Sequence, residues 1–464
     1  MVQKRQLTTK LLLSILSVAT LAFTDIMLET ALNVNFPQLM EEFNVNMSTV
    51  QWLTSGVILL TTLVVIISPW LKSNVSNLKQ FMSAGIISLI GILINAISED
   101  FGVVLFGRLL QGIGAGVAFP LMANIIFAQV PINVRGTMLG ASSLIISFAP
   151  AVGPSLGGWL SEKFGWHSIF WAMIPLQLAA LVIGRLTIVQ RQRLVKTKLD
   201  WIGWISLSIM FVGGIFLVPH LFEFGFVNFL SILYIAMIVG GAVYYVRHAR
   251  TIKNPLINIK IFDNKIFANA VPAAFLVQVI SLMLNYSVPI FLGLSLGKNS
   301  AEVGFLMLPA AITFAFSSII GGRLYDKIGA RFPLFFSASI IFTAMLILLL
   351  APTTQNWLIA GYVLFALGGG IFFNNMNVYA VSQLSDVNQP DGNSIFSAIL
   401  NYSASLGITL AAGIIGMVQN NANSISDATS IGVQNVNLTN FMIVFVIIFL
   451  TIQVFKSFTN KSRT

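Results

Sequence analysis

The chain has 464 residues, of which 56% are hydrophobic and only 9% charged, with a mean hydropathy of +0.88. Soluble domains carry about 25% charged residues, so a soluble globular protein is excluded. The sequence has no cysteine, which rules out disulfides, thiolate metal sites and cysteine nucleophiles, and its three histidines (His167, His220, His248) show no metal-ligand spacing; no metal is expected. The net charge of +10 suggests nucleic acid until the basic residues are placed along the chain.

The apolar runs are about 20 residues long, which selects membrane-spanning helices over barrel strands of about 10 residues. Fourteen spans are predicted, at about 11–36, 49–71, 80–98, 103–128, 137–160, 167–185, 201–219, 226–246, 267–296, 302–324, 333–351, 357–381, 393–418 and 440–456. Basic connectors, Arg185–Lys198 and Arg247–Lys265, flank the seventh and eighth. The Asn/Ser-rich stretch from Gln419 to Asn440 reads as an external, mobile loop, and its Asn437-Leu-Thr match needs no function. If the N-terminus is cytoplasmic, inner loops and tails hold 22 of the 25 Lys and Arg. Outer loops hold Lys163 and Lys298, and Arg108 lies inside a span. This is the positive-inside pattern, with both termini inside. The basic residues then serve topology and anionic lipid head groups, and no nucleic-acid partner is expected. After Lys10 the apolar run is too long for a cleavable signal.

The first span carries two carboxylates, Asp25 and Glu29, one turn apart on a face that Asn33 continues. An ionised side chain near the bilayer centre costs roughly 2.5–3.5 kcal/mol on insertion scales, so such groups mark proton or substrate pathways. Desolvation disfavours the charged form of a carboxylate, and a second acid nearby disfavours it further. Six spans, then two, then six suggest a duplicated half with an inserted pair. Gly107, Gly114, Gly116 and Phe119 recur at constant offset as Gly361, Gly368, Gly370 and Phe373, and Gly157 falls at Gly413. Repeats of this kind are common in transporters, although small residues also recur in membrane helices by packing alone.

The loop GGRLYDKIGAR (Gly321–Arg331) resembles the Gly-X-Leu-X-Asp-Arg/Lys-X-Gly-X-Arg/Lys signature of the major facilitator superfamily, through Gly322, Leu324, Asp326, Lys327, Gly329 and Arg331. Glycines allow a tight turn there, and Asp326 can pair with basic groups or a helix N-terminus in one conformation only. The equivalent first-half loop, Pro69–Phe81, is degenerate: Ser73 and Asn74 stand where the Asp–Arg pair would be. In span five, Ala149–Gly158 resembles the superfamily's exporter motif, with Pro150, Gly153, Pro154, Gly157 and Gly158 permitting bending and close approach. Span four resembles its Arg-X-X-Gln-Gly motif through Arg108, Gln111 and Gly112. Counting back from Pro37, Asn33 and Thr30 align with the drug-exporting branch, Leu28 takes the usual Asp position, Glu29 matches a variant, and Asp25 is extra. The depths of Glu29 and Arg108 match, so a Glu29/Asp25–Arg108 cluster is expected; the other reading is that Arg108 snorkels to outer head groups.

The second half has no acid within a span. Its polar residues, Gln278, Asn285, Tyr286, Asn374, Asn375, Asn377, Asn401 and Tyr402, can hydrogen-bond a ligand or merely neighbouring helices. The substrate cavity is expected at Asn33, Gln111, Asn285, Tyr286, Phe373, Asn374, Asn377 and Asn401, with Phe372 beside them. No Gly-X-X-X-X-Gly-Lys-Ser/Thr loop exists, so transport is not directly ATP-driven, and no enzyme motif is present. The resemblance covers essentially the whole chain and points to the fourteen-helix drug:proton antiporter branch. It implies an all-α membrane protein with two six-helix bundles (1–198 and 254–464) and an inserted pair (199–253), moving by alternating access. It further implies efflux of lipophilic or amphipathic compounds against protons, with the proton gradient as energy source and no cofactor. A monomer in a bacterial plasma membrane is expected, in contact with lipid, protons and a small-molecule substrate. Transport of a specific metabolite or lipid-like solute is the nearest alternative, and a non-transporting sensor or scaffold the more distant one.

Overall fold

A computed structural model describes residues 7–131, 135–190, 194, 196–224, 228–252, 255–350, 354–385, 388–420 and 424–461. They form helices α1 (Thr9–Asn33), α2 (Phe36–Glu42), α3 (Met47–Val50), α4 (Trp52–Ile66), α5 (Ser68–Asn74), α6 (Asn77–Ile97), α7 (Phe101–Gln129), α8 (Arg135–Phe164) and α9 (His167–Thr187). After these come α10 (Trp201–Phe224), α11 (Phe229–Thr251), α12 (Lys265–Ile290), α13 (Ser300–Ile328), α14 (Arg331–Leu350), α15 (Gln355–Ser382), α16 (Gln389–Gln419) and α17 (Ile425–Lys461). Among the described residues thirteen helices are long and apolar enough to cross a membrane. The 30-residue α8 stands where the remaining expected span lies. Helix starts follow capping chemistry: Ser76, Asp100 and Asn228 accept from backbone N–H groups of the first turn, and Asn299 with Glu302 forms a capping box on α13. Gly329, at φ 79°, ends α13 in a conformation other residues avoid. Among the described residues the basic ones, Arg108, Lys163 and Lys298 aside, lie at one end of the bundle; we call it the basic end and the other the far end.

Packing repeats between the halves. In the first, α1 packs on α7, α8 and α9, α7 on α4 and α6, α9 on α6 and α8. The second repeats every pairing: α12 on α15, α16 and α17, α15 on α13 and α14, α17 on α14 and α16. The recurring glycines do the same work in both. A Cβ on Gly116 would overlap Val64 and the Thr61 carbonyl of α4, and one on Gly370 would overlap Ser317 and the Phe314 carbonyl of α13. The halves meet along two seams, α8 with α13 and α4 with α16, which are each other's mates under this repeat.

The inserted pair α10–α11 covers only one seam. Trp204 Nε1 donates to the Leu63 carbonyl of α4 at 2.9 Å, and Phe211 stacks on Tyr402 of α16 at 4.5 Å. Across the other seam, Gly158 and Gly304 bring backbone against backbone: a Cβ on the first would overlap the Ser300 carbonyl, and one on the second the Pro154 carbonyl. Ser155 Oγ donates to the Gly304 carbonyl at 3.0 Å.

One expectation is overturned. The stretch read as an external loop, Gln419–Asn440, is mostly helical, because α17 begins at Ile425 and runs 37 residues. Thr429, Val433, Val436, Asn440, Val444, Ile447, Thr451 and Val454 make one buried stripe at helical spacing that continues through the polar segment. Asn437 is buried, donating from Nδ2 to the Leu348 carbonyl at 3.3 Å, so its acceptor-like sequence context is closed off.

Replacing Gly304 by Leu is expected to wedge α8 from α13 at the far end. Overpacking of this kind costs about 1–3 kcal/mol. The midpoint of thermal unfolding in detergent should fall, and an unchanged midpoint would show that the seam has room.

Candidate functional site

Asp25, Glu29 and Asn33 follow one another up α1 towards the far end. Asp25 is buried; Ser88 Oγ of α6 donates to its Oδ1 at 2.8 Å, and its Oδ2 has no hydrogen-bond partner. Glu29 is half-buried and makes no hydrogen bond among the described residues. Thr24 Oγ1, donating to Gln177 Oε1 of α9 at 2.7 Å, helps fix the rotation of α1.

Arg108 of α7 is completely buried, which removes the snorkelling alternative. Its Nε donates to the Leu53 carbonyl of α4 at 3.0 Å and its Nη1 to Gln111 Oε1, while Nη2 and Gln111 Nε2 lack partners. Arg108 lies within electrostatic reach of Asp25 and Glu29. No ion pair closes between them: neither carboxylate comes within 4.0 Å of a guanidinium nitrogen. Asn95, also buried, has both amide atoms unpaired and sits against Gly107. Buried polar atoms without partners are costly, and each requires an explanation in water, ions or function. Here they gather around one cation and two acids.

A polar relay joins the halves above this cluster. Thr54 Oγ1 of α4 donates to Asn33 Oδ1 at 2.9 Å, and Asn33 Nδ2 donates to Asn285 Oδ1 of α12 at 3.0 Å; Asn285 Nδ2 reaches the Tyr362 hydroxyl of α15 at 3.5 Å. Below it the facing stripes of α1 and α12 open towards the basic end. On α1, Asn33 is 1% exposed, Glu29, Ile26 and Phe23 are half-buried, and Leu16 and Leu12 reach 44% and 42%. On α12, Asn285, Leu282, Gln278 and Phe275 are half-buried and Pro272 is exposed. Further bonds near the far end continue the closure: Ser405 Oγ to the Ser55 carbonyl at 2.6 Å, Thr409 Oγ1 to Gln51 Oε1 at 3.3 Å, and Ser300 Oγ to the Val34 carbonyl at 3.4 Å. The cleft is sealed at the far end and accessible from the basic end, and Glu29 sits one turn under the seal.

The other expected residues divide. Tyr286 is buried in the seal, its hydroxyl donating to the Met47 carbonyl at 3.3 Å and its ring 5.7 Å from Phe36, so it does not line open space. Gln111 is buried too, its Oε1 accepting from Arg108 and its Nε2 without a partner, so it does not line open space. Asn374 is exposed, Phe373 and Asn377 are half-buried, and the buried Asn377 Oδ1 has no partner. Asn401 donates to the Ser397 carbonyl of its own helix at 3.0 Å. Phe372 is buried, and Asn375 bonds the Gly321 carbonyl at 3.0 Å. In the hinge motifs, Gly153 and Gly157 face Thr30 and Ala31 of α1, while Gly158 and Pro154 face α13; the side chain of Pro150 lies outside the described residues. Asp326, Lys327, Gly329 and Arg331 are exposed at the basic end, Gly322 is half-buried, and Asp326 makes no ion pair among the described residues. Sequence reasoning missed Ser88, Thr54 and Tyr362; small hydroxyls and a lone phenol in apolar spans carry no signal separate from ordinary packing.

The Major Facilitator Superfamily model matches residues 18–412 and 270–457. The chain belongs to this superfamily. Lincomycin resistance protein LmrB of Bacillus subtilis (strain 168) is 28% identical over 417 residues, covering 87% of this chain and 85% of its own. The uncharacterized superfamily transporter YcnB of the same organism is 26% identical, at 85% and 84% coverage. The putative multidrug resistance protein MdtD of Escherichia coli O81 (strain ED1a) is 25% identical, at 78% and 77%. Among solved structures, a bacterial homologue of the human lysosomal transporter Spinster aligns with TM-score 0.69 at 13% identity, covering 98% of this chain and 99% of that one. A D-xylose–proton symporter aligns with TM-score 0.63 at 14% identity, covering 94% and 97%. Superfamily members are membrane transporters of small molecules, not enzymes.

Asn33→Leu should orphan the Thr54 hydroxyl and the Asn285 amide together. A lost buried partner costs about 1–3 kcal/mol, read as a lower unfolding midpoint. Thr54→Val, which removes one bond of the relay, should cost less, and equal midpoints for all three proteins would show that the relay adds no stability.

Proposed function

We propose that this superfamily member is a proton-coupled exporter of lipophilic or amphipathic compounds, working by alternating access. The observation that carries the reading is the placement of Asp25, Glu29 and Arg108 at the closed end of a cleft between two repeated halves. With the basic end cytoplasmic, as the positive-inside rule requires, the cleft opens to the cytoplasm. An amphipathic substrate would enter along the apolar stripes of α1 and α12 and meet Glu29 beneath the amide seal. The names of LmrB and MdtD support a drug-exporting role. In the outward-open state the seal parts and a proton from outside reaches Glu29 or Asp25. Return to the inward-open state brings the protonated carboxyl group back into the field of Arg108, whose positive charge favours the carboxylate anion, and the proton leaves to the cytoplasm. No cofactor is needed, since the proton gradient supplies the energy.

The test is efflux of a lipophilic dye from proteoliposomes driven by a pH gradient. Wild type should pump, and Glu29→Gln should lose gradient-driven efflux by at least tenfold while still allowing downhill exchange. Full activity in Glu29→Gln together with loss in Asp25→Asn would move the proton to Asp25. Gradient-driven pumping by the double variant would sink the coupling scheme. Arg108→Lys keeps the charge but gives up the forked contact with Leu53 and Gln111. It should fold, insert, and show at least tenfold weaker coupling in the same assay.

A further inference from the structure

A chamber of about 450 Å³ opens at the basic end, where α14 begins and α17 is in its last turns. Arg331 and Phe335 of α14, Tyr379 of α15, and Ile452, Phe455 and Lys456 of α17 line it. It is separate from the central cleft, since α1, α4, α7 and α12 give it no wall.

Three observations describe what it would hold. Its walls are apolar and aromatic: Phe455 lies 5.3 Å from Phe335 and stacks at 5.5 Å on Tyr379. The charged lining residues, Arg331 and Lys456, are both cations and both exposed, and no carboxylate is among the lining. Arg331 also opens α14, so the positive end of that helix dipole lies at the same mouth. Its guanidinium makes no ion pair among the described residues. Finally, Tyr379 is only 7% exposed, yet its hydroxyl keeps accessible surface and makes no hydrogen bond among the described residues. A phenol so placed can donate to an anion. The first half has no such site. At the constant offset Asn77 stands for Arg331 and Phe81 for Phe335, and Phe81 is fully buried against Gly184 of α9, where a Cβ would overlap its ring.

We propose that this chamber binds one anionic phospholipid of the cytoplasmic leaflet. Its phosphate meets Arg331, Lys456 and the Tyr379 hydroxyl, and an acyl chain lies along Phe335, Ile452 and Phe455. Basic pockets between membrane helices on the cytoplasmic side suit anionic head groups, and the volume lies within the range of ligand pockets, about 300–1,000 Å³. The aromatic walls favour an amphipathic anion over a soluble one, which would leave them in contact with water. A choline head group would add a third cation beside Arg331 and Lys456, so the site selects lipids with net negative charge.

The experiment titrates the full-length protein in detergent micelles with dioleoyl phosphatidylglycerol or dioleoyl phosphatidylcholine and counts bound lipid by native mass spectrometry. Wild type should bind the first phosphatidylglycerol at least fivefold more tightly than phosphatidylcholine, and excess glycerol phosphate, the head group without chains, should not displace it. Arg331→Gln combined with Lys456→Gln should erase the preference and leave phosphatidylcholine binding unchanged. Lys72→Gln combined with Lys79→Gln, at the same end of the first half, should keep it. Equal affinity of wild type for the two lipids, displacement by glycerol phosphate, an undiminished preference in the Arg331/Lys456 variant, or an equal loss in the Lys72/Lys79 variant would each overturn the assignment. The wild-type comparisons stand by themselves if a variant fails to fold.

Discussion

A guanidinium buried in a membrane bundle must be answered on every N–H, because no water reaches it from lipid. Arg108 receives two answers, the Leu53 carbonyl and Gln111, and one nitrogen is left open. That deficit organises the first half. It holds α7 to α4, it makes the neighbouring acids on α1 tolerable, and it leaves them unpaired in this state. A tight Arg–carboxylate pair would be a static brace. Carboxylates within the field of a cation but not bonded to it can gain and lose a proton without tearing the structure apart.

The second organising fact is the repeat. Seven helix pairings recur between the halves, and glycines at matching positions admit the same close approaches. The halves nevertheless diverge in chemistry. The first carries the buried charge. The second offers amides and phenols, with Asn285 of α12 closing on Asn33 of α1. A cleft between such halves has one ionisable wall and one neutral hydrogen-bonding wall.

Much of this was legible in the sequence. Apolar run lengths gave the spans, the recurring glycines gave the repeat, and Asp25, Glu29 and Arg108 stood out because ionisable residues are so rare within spans. The polar start of α17 reads as a loop in the sequence because Asn and Ser favour turns. Its helical stripe, Thr429 to Val454, mixes three polar members with five apolar ones and is recognised only once neighbouring helices are in place. The seal was half legible. Asn33 and Asn285 read as cavity residues and do close the cleft, whereas Tyr286, which reads the same way, turns its hydroxyl to the Met47 carbonyl. Nothing local in a sequence tells which side of a helix faces a partner 252 residues away.

The asymmetric seat of the inserted pair has a further consequence. The two seams between the halves are equivalent by repeat, yet α10 lies across α4 and α16 and shields that one from the bilayer. The α8–α13 seam has no such cover among the described helices. A molecule dissolved in the lipid therefore meets one seam covered and one bare, and the bare one is held by the backbone of Pro154 and Gly158 lying directly against α13.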